Sequence, residues 1–127
     1  MDLHHAHIFA SNLDQTLGWW REHLGARVLF DDVIAGSRNV LIGVGSGRIN
    51  IYDQPPKGPG RGPVHHLGVR VRDFDAVWKR LQDNGVTSPN GPREQDGWRY
   101  VMIAAPDGVL VEIFEFDDPA SPFNIDG

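Results

Sequence analysis

Cysteine is absent from the 127 residues, so neither a disulfide scaffold nor a thiolate metal site can be built, and any metal must be held by nitrogen and oxygen donors. No apolar run reaches membrane-spanning length, and the first residues, Met-Asp-Leu-His-His-Ala-His, lack the basic start and apolar stretch of a secretory signal. A cytoplasmic protein is expected. Clustered positive charge is also missing: 12 basic side chains, scattered along the chain, face 17 acidic ones for a net charge of −5. Nucleic acid and anionic membrane surfaces are therefore not expected as partners. The length suits one domain with a modest core, so any two-part organisation must consist of half-sized units sharing that core.

What is present is an ordered alternation of strand and helix signals. Residues 3–10 alternate as a strand does, with His5, His7 and Phe9 on one face and Ala6, Ile8 and Ala10 on the other. By the same parity, His4 points away from His5. Ser11 stands as a helix cap with Asp14 three residues on. Leu13, Leu17, Trp20 and Leu24 follow at helical spacing, and Gly25 supplies the stop. Strands are expected near 27–33, 38–44 and 48–53. Residues 54–63 are too rich in proline and glycine for a helix or a central strand and form a linker.

The order then begins again. A strand over 64–71 leads to a helix capped by Asp73, carrying Phe74, Val77, Trp78 and Leu81 and stopped by Gly85. A proline-rich loop precedes strands near 98–104 and 109–116, which the turn Ala105-Pro106-Asp107-Gly108 joins. Superposing the halves sets His5 on His66, Leu13 on Phe74, Gly25 near Gly85 and Asn50 on Glu112, with offsets of 60 to 62: an internal repeat. The expected organisation is one α+β domain over 1–127, with module one at about 1–53, the linker at 54–63, module two at about 64–116 and an unstructured tail at 117–127.

Five segments carry a resemblance to a known family. They are Leu3-His4-His5-Ala6-His7-Ile8, Asn12-Leu13-Asp14 running into Trp19-Trp20, His23-Leu24-Gly25-Ala26, Val64-His65-His66-Leu67-Gly68-Val69, and Ala105-Pro106-Asp107-Gly108 leading into Val109-Leu110-Val111-Glu112-Ile113. Together they resemble the vicinal-oxygen-chelate superfamily, which includes glyoxalase I, methylmalonyl-CoA epimerase, extradiol ring-cleaving dioxygenases and the fosfomycin and bleomycin resistance proteins. The resemblance implies two βαβββ modules whose sheets curl around a metal cleft, with ligands on the first and last strands. Carried over residue by residue, it makes His5, His66 and Glu112 the metal ligands. The fourth equivalent place falls on Asn50, where glyoxalase-like and epimerase-like members carry Glu or Gln.

The chemistry of that set is coherent. Two imidazoles and a carboxylate suit one divalent ion, with Fe first and Mn, Zn, Ni or Co also accommodated, and leave positions open for substrate. Strand parity agrees with it: Leu67, Val69 and Val71 send His66 to the opposite face, and Val111 and Ile113 do the same for Glu112. Asn50 either binds weakly through its amide oxygen or hydrogen-bonds a metal-bound water. His7, on the face of His5, and Tyr100 are the candidate catalytic groups, as acid–base and polarising side chains. Arg48 and Arg70 are candidates for holding an anionic substrate, with Trp98, Phe9 and Tyr52 beside them as binding residues and Met102, Phe114 and Phe116 completing an apolar wall.

With three ligands and a non-carboxylate fourth place, the resemblance points first to a non-haem Fe(II) dioxygenase acting on a small molecule with neighbouring oxygens. The alternatives are a glyoxalase-like lyase or epimerase, and a drug-binding resistance protein without catalysis. Apolar edges at Trp19, Trp20 and Trp78 lead to the expectation of a homodimer, in which modules can be exchanged between subunits.

Overall fold

The computed structural model describes residues 3–34, 36–58, 64–95 and 97–120, and these divide into two compact units, one on each side of position 60. The first unit holds β1 (Ala6–Phe9), α1 (Leu13–Leu24), β2 (Arg27–Ile34), β3 (Ser37–Val44) and β4 (Gly47–Tyr52). The second holds β5 (Leu67–Arg70), α2 (Phe74–Asp83), β6 (Arg93–Gln95), β7 (Trp98–Ala104) and β8 (Leu110–Phe116). Each is a βαβββ unit with one four-stranded mixed sheet, in the orders β1-β4-β3-β2 and β5-β8-β7-β6. The first strand of each sheet runs parallel to the last, and the remaining neighbours are antiparallel. Tight turns suffice for the antiparallel steps, whereas the passage from the first strand at one edge to the second at the other needs a crossover, which the helix supplies.

Local chemistry sets the helix ends. Asn12 is held extended and its side chain accepts from the Gln15 backbone N–H at 3.1 Å, while Gly25 closes α1 in the left-handed conformation at φ 66°. The cap is thus Asn12 and not Ser11, because it is the Asn12 oxygen that reaches an N–H of the first turn. The Asp14 carboxylate accepts from Arg38 Nη1 on β3 at 2.8 Å. In α2, Asp73 accepts from the Ala76 N–H at 3.1 Å, and Asp75 in the same turn pairs with Arg99 of β7. Asp14 and Asp75, like Arg38 and Arg99, are 61 residues apart. Each helix is therefore pinned to its own sheet by the same duplicated clamp.

The buried layer of each unit follows strand parity. Val40, Ile42, Ile49 and Ile51 are at most 8% exposed, as are Leu13, Leu17 and Trp20 of α1. In the second unit Val101, Ile103, Val111 and Ile113, with Phe74 and Leu81 of α2, reach at most 2%. Burying each large side chain contributes roughly 1.5–3 kcal/mol, so these two layers dominate the stability of their units.

The structure departs from the sequence reading in its strands and apolar edges as well. The strands expected from residues 3 and 64 begin later, at Ala6 and Leu67. β6 lies inside the stretch read as loop. Trp20 is not an apolar edge but fully buried, and Trp19 and Trp78 are half-buried. The exposed apolar surface lies on β2, where Val28, Leu29, Phe30, Val33 and Ile34 stand 41–64% exposed on an edge strand that also carries Asp31 and Asp32. Charges within an edge strand oppose its pairing with other chains. No helix among the described residues is long and apolar enough to cross a membrane. The end of the linker, 59–63, and the tail from 121 lie outside the described residues.

Candidate functional site

Because a strand sends alternate side chains to opposite faces, the burial of one layer under each helix fixes what the other face of each sheet presents. In the second unit that open face carries Glu112 in the middle of β8, in register with Gly68 and Met102. The Glu112 side chain is only 13% exposed, and burial pushes its carboxyl above the ordinary range, with His66 acting against the shift. His66 Nε2 stands 3.9 Å from Glu112 Oε1, beyond hydrogen-bond length. A Cβ at Gly68 would meet the Phe114 ring at 3.2 Å, so glycine lets that aromatic lie close beside the carboxylate.

The next register row across this face reads Arg70, Phe114, Tyr100, Arg93, and the row beyond it places Trp98 opposite Phe116. Trp98 stacks on Phe116 at 5.4 Å between ring centroids and lies 4.9 Å from Tyr100. All four aromatics are half-buried, and the Trp98 Nε1 is buried with no hydrogen-bond partner among the described residues. An aromatic floor bracketed by two guanidinium groups thus begins one row away from Glu112.

The open face of the first unit is built on the same register but with different groups. His7 lies beside Asn50 and Phe9 beside Tyr52. The His7 ring is 3.9 Å from Tyr52 and 5.4 Å from Phe9, and Lys57 Nζ sits 5.7 Å over the Phe9 ring. Desolvation holds His7 below its ordinary pKa, the charge of His5 adds to the effect, and a hydrogen bond to the Asn50 backbone opposes it. The Asn50 side-chain oxygen is buried and has no hydrogen-bond partner among the described residues. Arg48 stands apart, exposed in the row of Gly43 and Arg27.

His5 and His66 each precede the first strand of their unit, and each touches its neighbour. His4 Nδ1 lies 2.9 Å from His5 Nδ1, and His65 Nδ1 lies 2.8 Å from His66 Nδ1. The expectation that His4 points away from His5 is therefore corrected, and His65 meets His66 in the same way. Parity fails there because the pleat starts only at Ala6 and Leu67.

These residues fit a divalent cation. At 3.9 Å, His66 Nε2 and Glu112 Oε1 are close enough for one ion with donor distances of about 2.0–2.2 Å to reach both. A desolvated carboxylate beside an imidazole is the kind of group that a cation compensates. Among the described residues no three His, Asp or Glu side chains are grouped tightly enough to hold a metal by themselves. The second unit thus brings two donor groups together, and His5 belongs to the first unit.

The structure brings together His66 with Glu112, then His7, Asn50, Phe9 and Tyr52 on one sheet, and Tyr100 with Trp98 on the other. Two charged residues of these faces escaped the sequence reading, Lys57 and Arg93. The first lies in a linker and the second in a three-residue strand, so neither carries a periodic signal that would assign it a face.

Comparison with known structures supports the same architecture. TnmS3, an antibiotic binding protein from Streptomyces sp. CB03234, is similar with a TM-score of 0.78 and 22% identity over 92% of this chain and 97% of that one. A glyoxalase family protein from Enterococcus faecalis gives 0.75 and 27% over 90% and 97%. The fosfomycin resistance protein FosX from Listeria monocytogenes, in complex with Mn(II) and sulfate, gives 0.71 and 14% over 90% and 91%. No curated protein matches in sequence. A family model, however, matches residues 2–113, nearly the whole length that the two repeated units span, and by that match the chain belongs to the Glyoxalase/Bleomycin resistance protein/Dioxygenase superfamily.

Proposed function

We propose that the protein is a metal-dependent enzyme in which His5, His66 and Glu112 hold one divalent ion, Fe(II) first, and which acts as a dioxygenase on a small aromatic molecule with neighbouring oxygens. The observation that carries this reading is the pairing of a desolvated Glu112 carboxylate with His66 Nε2 at 3.9 Å. When bound, the ion would acidify and orient the substrate oxygens. The chain's own residues do the rest. The aromatic row of Phe114 and Tyr100 supplies a stacking floor, and Arg70 and Arg93 attract negative charge to its two ends. A neutral His7, one ring nitrogen of which is occupied by the Asn50 backbone, keeps a lone pair on the other to take a proton. Asn50, with an unpartnered oxygen, is suited to hydrogen-bond a water in that site.

The half-exposed aromatics also favour a second reading, a drug-binding protein that stacks its ligand without catalysis. Metal content separates the two. Protein purified without a histidine tag and reconstituted anaerobically with Fe(II) is expected to keep about one equivalent per chain, and Glu112→Ala less than a tenth. Oxygen uptake with catechol-type compounds should follow metal content. Native protein retaining less than a tenth of an equivalent would leave the binder as the better account. A homodimer belongs to the same proposal, a second copy covering the exposed apolar side chains of β2 rather than extending its charged edge by strand pairing.

A further inference from the structure

We infer that His4 and His65 are positioning residues, each holding the neighbouring imidazole by its Nδ1 so that Nε2 is the nitrogen presented to a metal. The inference rests on the proposed ligand set, but its evidence is separate. The same contact occurs twice, between the same atoms, in two units 61 residues apart: Nδ1 to Nδ1 at 2.9 Å for His4 and His5, and at 2.8 Å for His65 and His66. The ring arrangement repeats as well, with centroids 5.2 and 5.1 Å apart and planes at 86° and 84°. Adjacent side chains on a pleated strand point to opposite faces. Both pairs meet only because each stands just ahead of its strand.

A metal-facing Nε2 requires the contact to run one way, from the Nδ1–H of the ligand histidine to Nδ1 of its neighbour. Two neutral imidazoles can approach through Nδ1 atoms at this distance only if one donates N–H and the other accepts. For His66 the remaining nitrogen, Nε2, is the atom that faces Glu112 Oε1. If Nε2 carried the proton, it would be lost as a donor to any metal. With Nδ1–H given to His65, Nε2 keeps its lone pair toward the carboxylate, an arrangement that a cation between the two stabilises. Metal-bound histidines commonly have their second nitrogen fixed by a carboxylate or a carbonyl. Here an adjacent histidine takes that place, in both modules.

Two measurements test this. In metal-free protein above neutral pH, long-range 1H–15N correlation is expected to show His66 as the Nδ1–H tautomer in the native chain and mainly Nε2–H in His65→Ala. In Co(II)-loaded protein, chelator competition should show about 10- to 100-fold weaker binding for His65→Ala, with altered visible ligand-field bands. His65→Asn, which sets an acceptor oxygen close to where Nδ1 stands, should recover affinity to within about threefold of native. His65→Ala with native affinity, native bands and the Nδ1–H tautomer would overturn the inference while leaving the ligand set intact, provided His66→Ala abolishes binding. Failure of the native chain to bind Co(II) at all would overturn both.

Discussion

The two units share a framework and differ in chemistry, and the boundary between what is kept and what is changed runs along the faces of the sheets. Beneath the helices the positions correspond nearly one for one: Val40 with Val101, Ile42 with Ile103, Ile51 with Ile113, and the Asp14–Arg38 clamp with Asp75–Arg99. On the open faces the same register carries His7 against Gly68, Asn50 against Glu112, and Tyr52 against Phe114. Burial explains the contrast. A fully packed aliphatic position tolerates few substitutions without cavity or overlap, whereas a half-exposed position is constrained only by what the face must bind. The second unit carries an acidic group with room beside it. The first has filled the matching room with an imidazole and replaced the acid by an amide.

Exchanging the differing residues is the strongest way to break this contrast. Glu112→Asn, which gives the second unit the side chain of the first, is expected to weaken metal binding by at least about 100-fold. The reverse change, Asn50→Glu, adds a carboxylate donor and should tighten binding by about tenfold; titration against a competing chelator reads both. Glu112→Asn should also stabilise the metal-free protein. A carboxyl whose pKa is raised on folding favours the native state while protonated, below about pH 4.3, and loses that contribution as pH rises through its shifted value. At pH 7 the native chain therefore bears a desolvated charge that the variant lacks. A gain of about 0.5–1 kcal/mol in urea unfolding is expected at pH 7 and none at pH 4. Metal bound with native affinity by Glu112→Asn would remove the distinction drawn between the two faces.

The next effect in size concerns the room beside the donor. Gly68→His would set in the second unit what His7 is in the first, and its Cβ already meets Phe114 at 3.2 Å. The aromatic must move, so a loss of about 1–3 kcal/mol is expected, with Trp98 fluorescence changing as the stack around it shifts. His7→Gly removes a side chain from an exposed place and should cost no more than about 1 kcal/mol, the backbone entropy of glycine in a strand. Equal losses would mean that the two open faces are packed alike.

Much of this organisation was legible in the sequence because it rests on local, periodic chemistry. The Leu13–Leu17–Trp20 stripe, the left-handed Gly25 and the Asp73 cap each announce a helix or its end, and the offset of His5 from His66 announces the repeat. The parts that escaped depend on partners distant in sequence or on where regular structure begins. β6, Arg93–Gln95, has no apolar alternation and becomes a strand only by pairing with β7. β2 is expected as a strand like its neighbours, yet as the edge of its sheet it remains exposed throughout. Strand parity does not reach the histidine pairs, which stand one and two residues ahead of the pleat. The clamps were within reach: aligning the halves at the histidine offset places Arg38 on Arg99 and Asp14 on Asp75, and only their meaning required coordinates.

The smallest expected effect separates these two clamps, and acid is the condition that does so. Arg38 donates through Nε and Nη2 to both oxygens of Asp31 as well as through Nη1 to Asp14, and these bonds hold the Asp31 carboxyl below its usual range. A carboxylate depressed in this way contributes stability above about pH 3.9 and loses it as pH falls through the lowered value. Arg99 pairs with Asp75 too, but its guanidinium also lies 5.0 Å over the buried Phe74 ring, a contact that needs no ionised acid. Arg38→Ala and Arg99→Ala should each lower the melting temperature by roughly 1–3 °C at pH 7 and low salt, as expected for partly exposed ion pairs. At pH 2.5 the Arg38→Ala deficit should shrink by a larger share than the Arg99→Ala deficit. If both deficits shrink by the same share, the aromatic contact contributes nothing and the clamps are energetically, as well as geometrically, copies of each other.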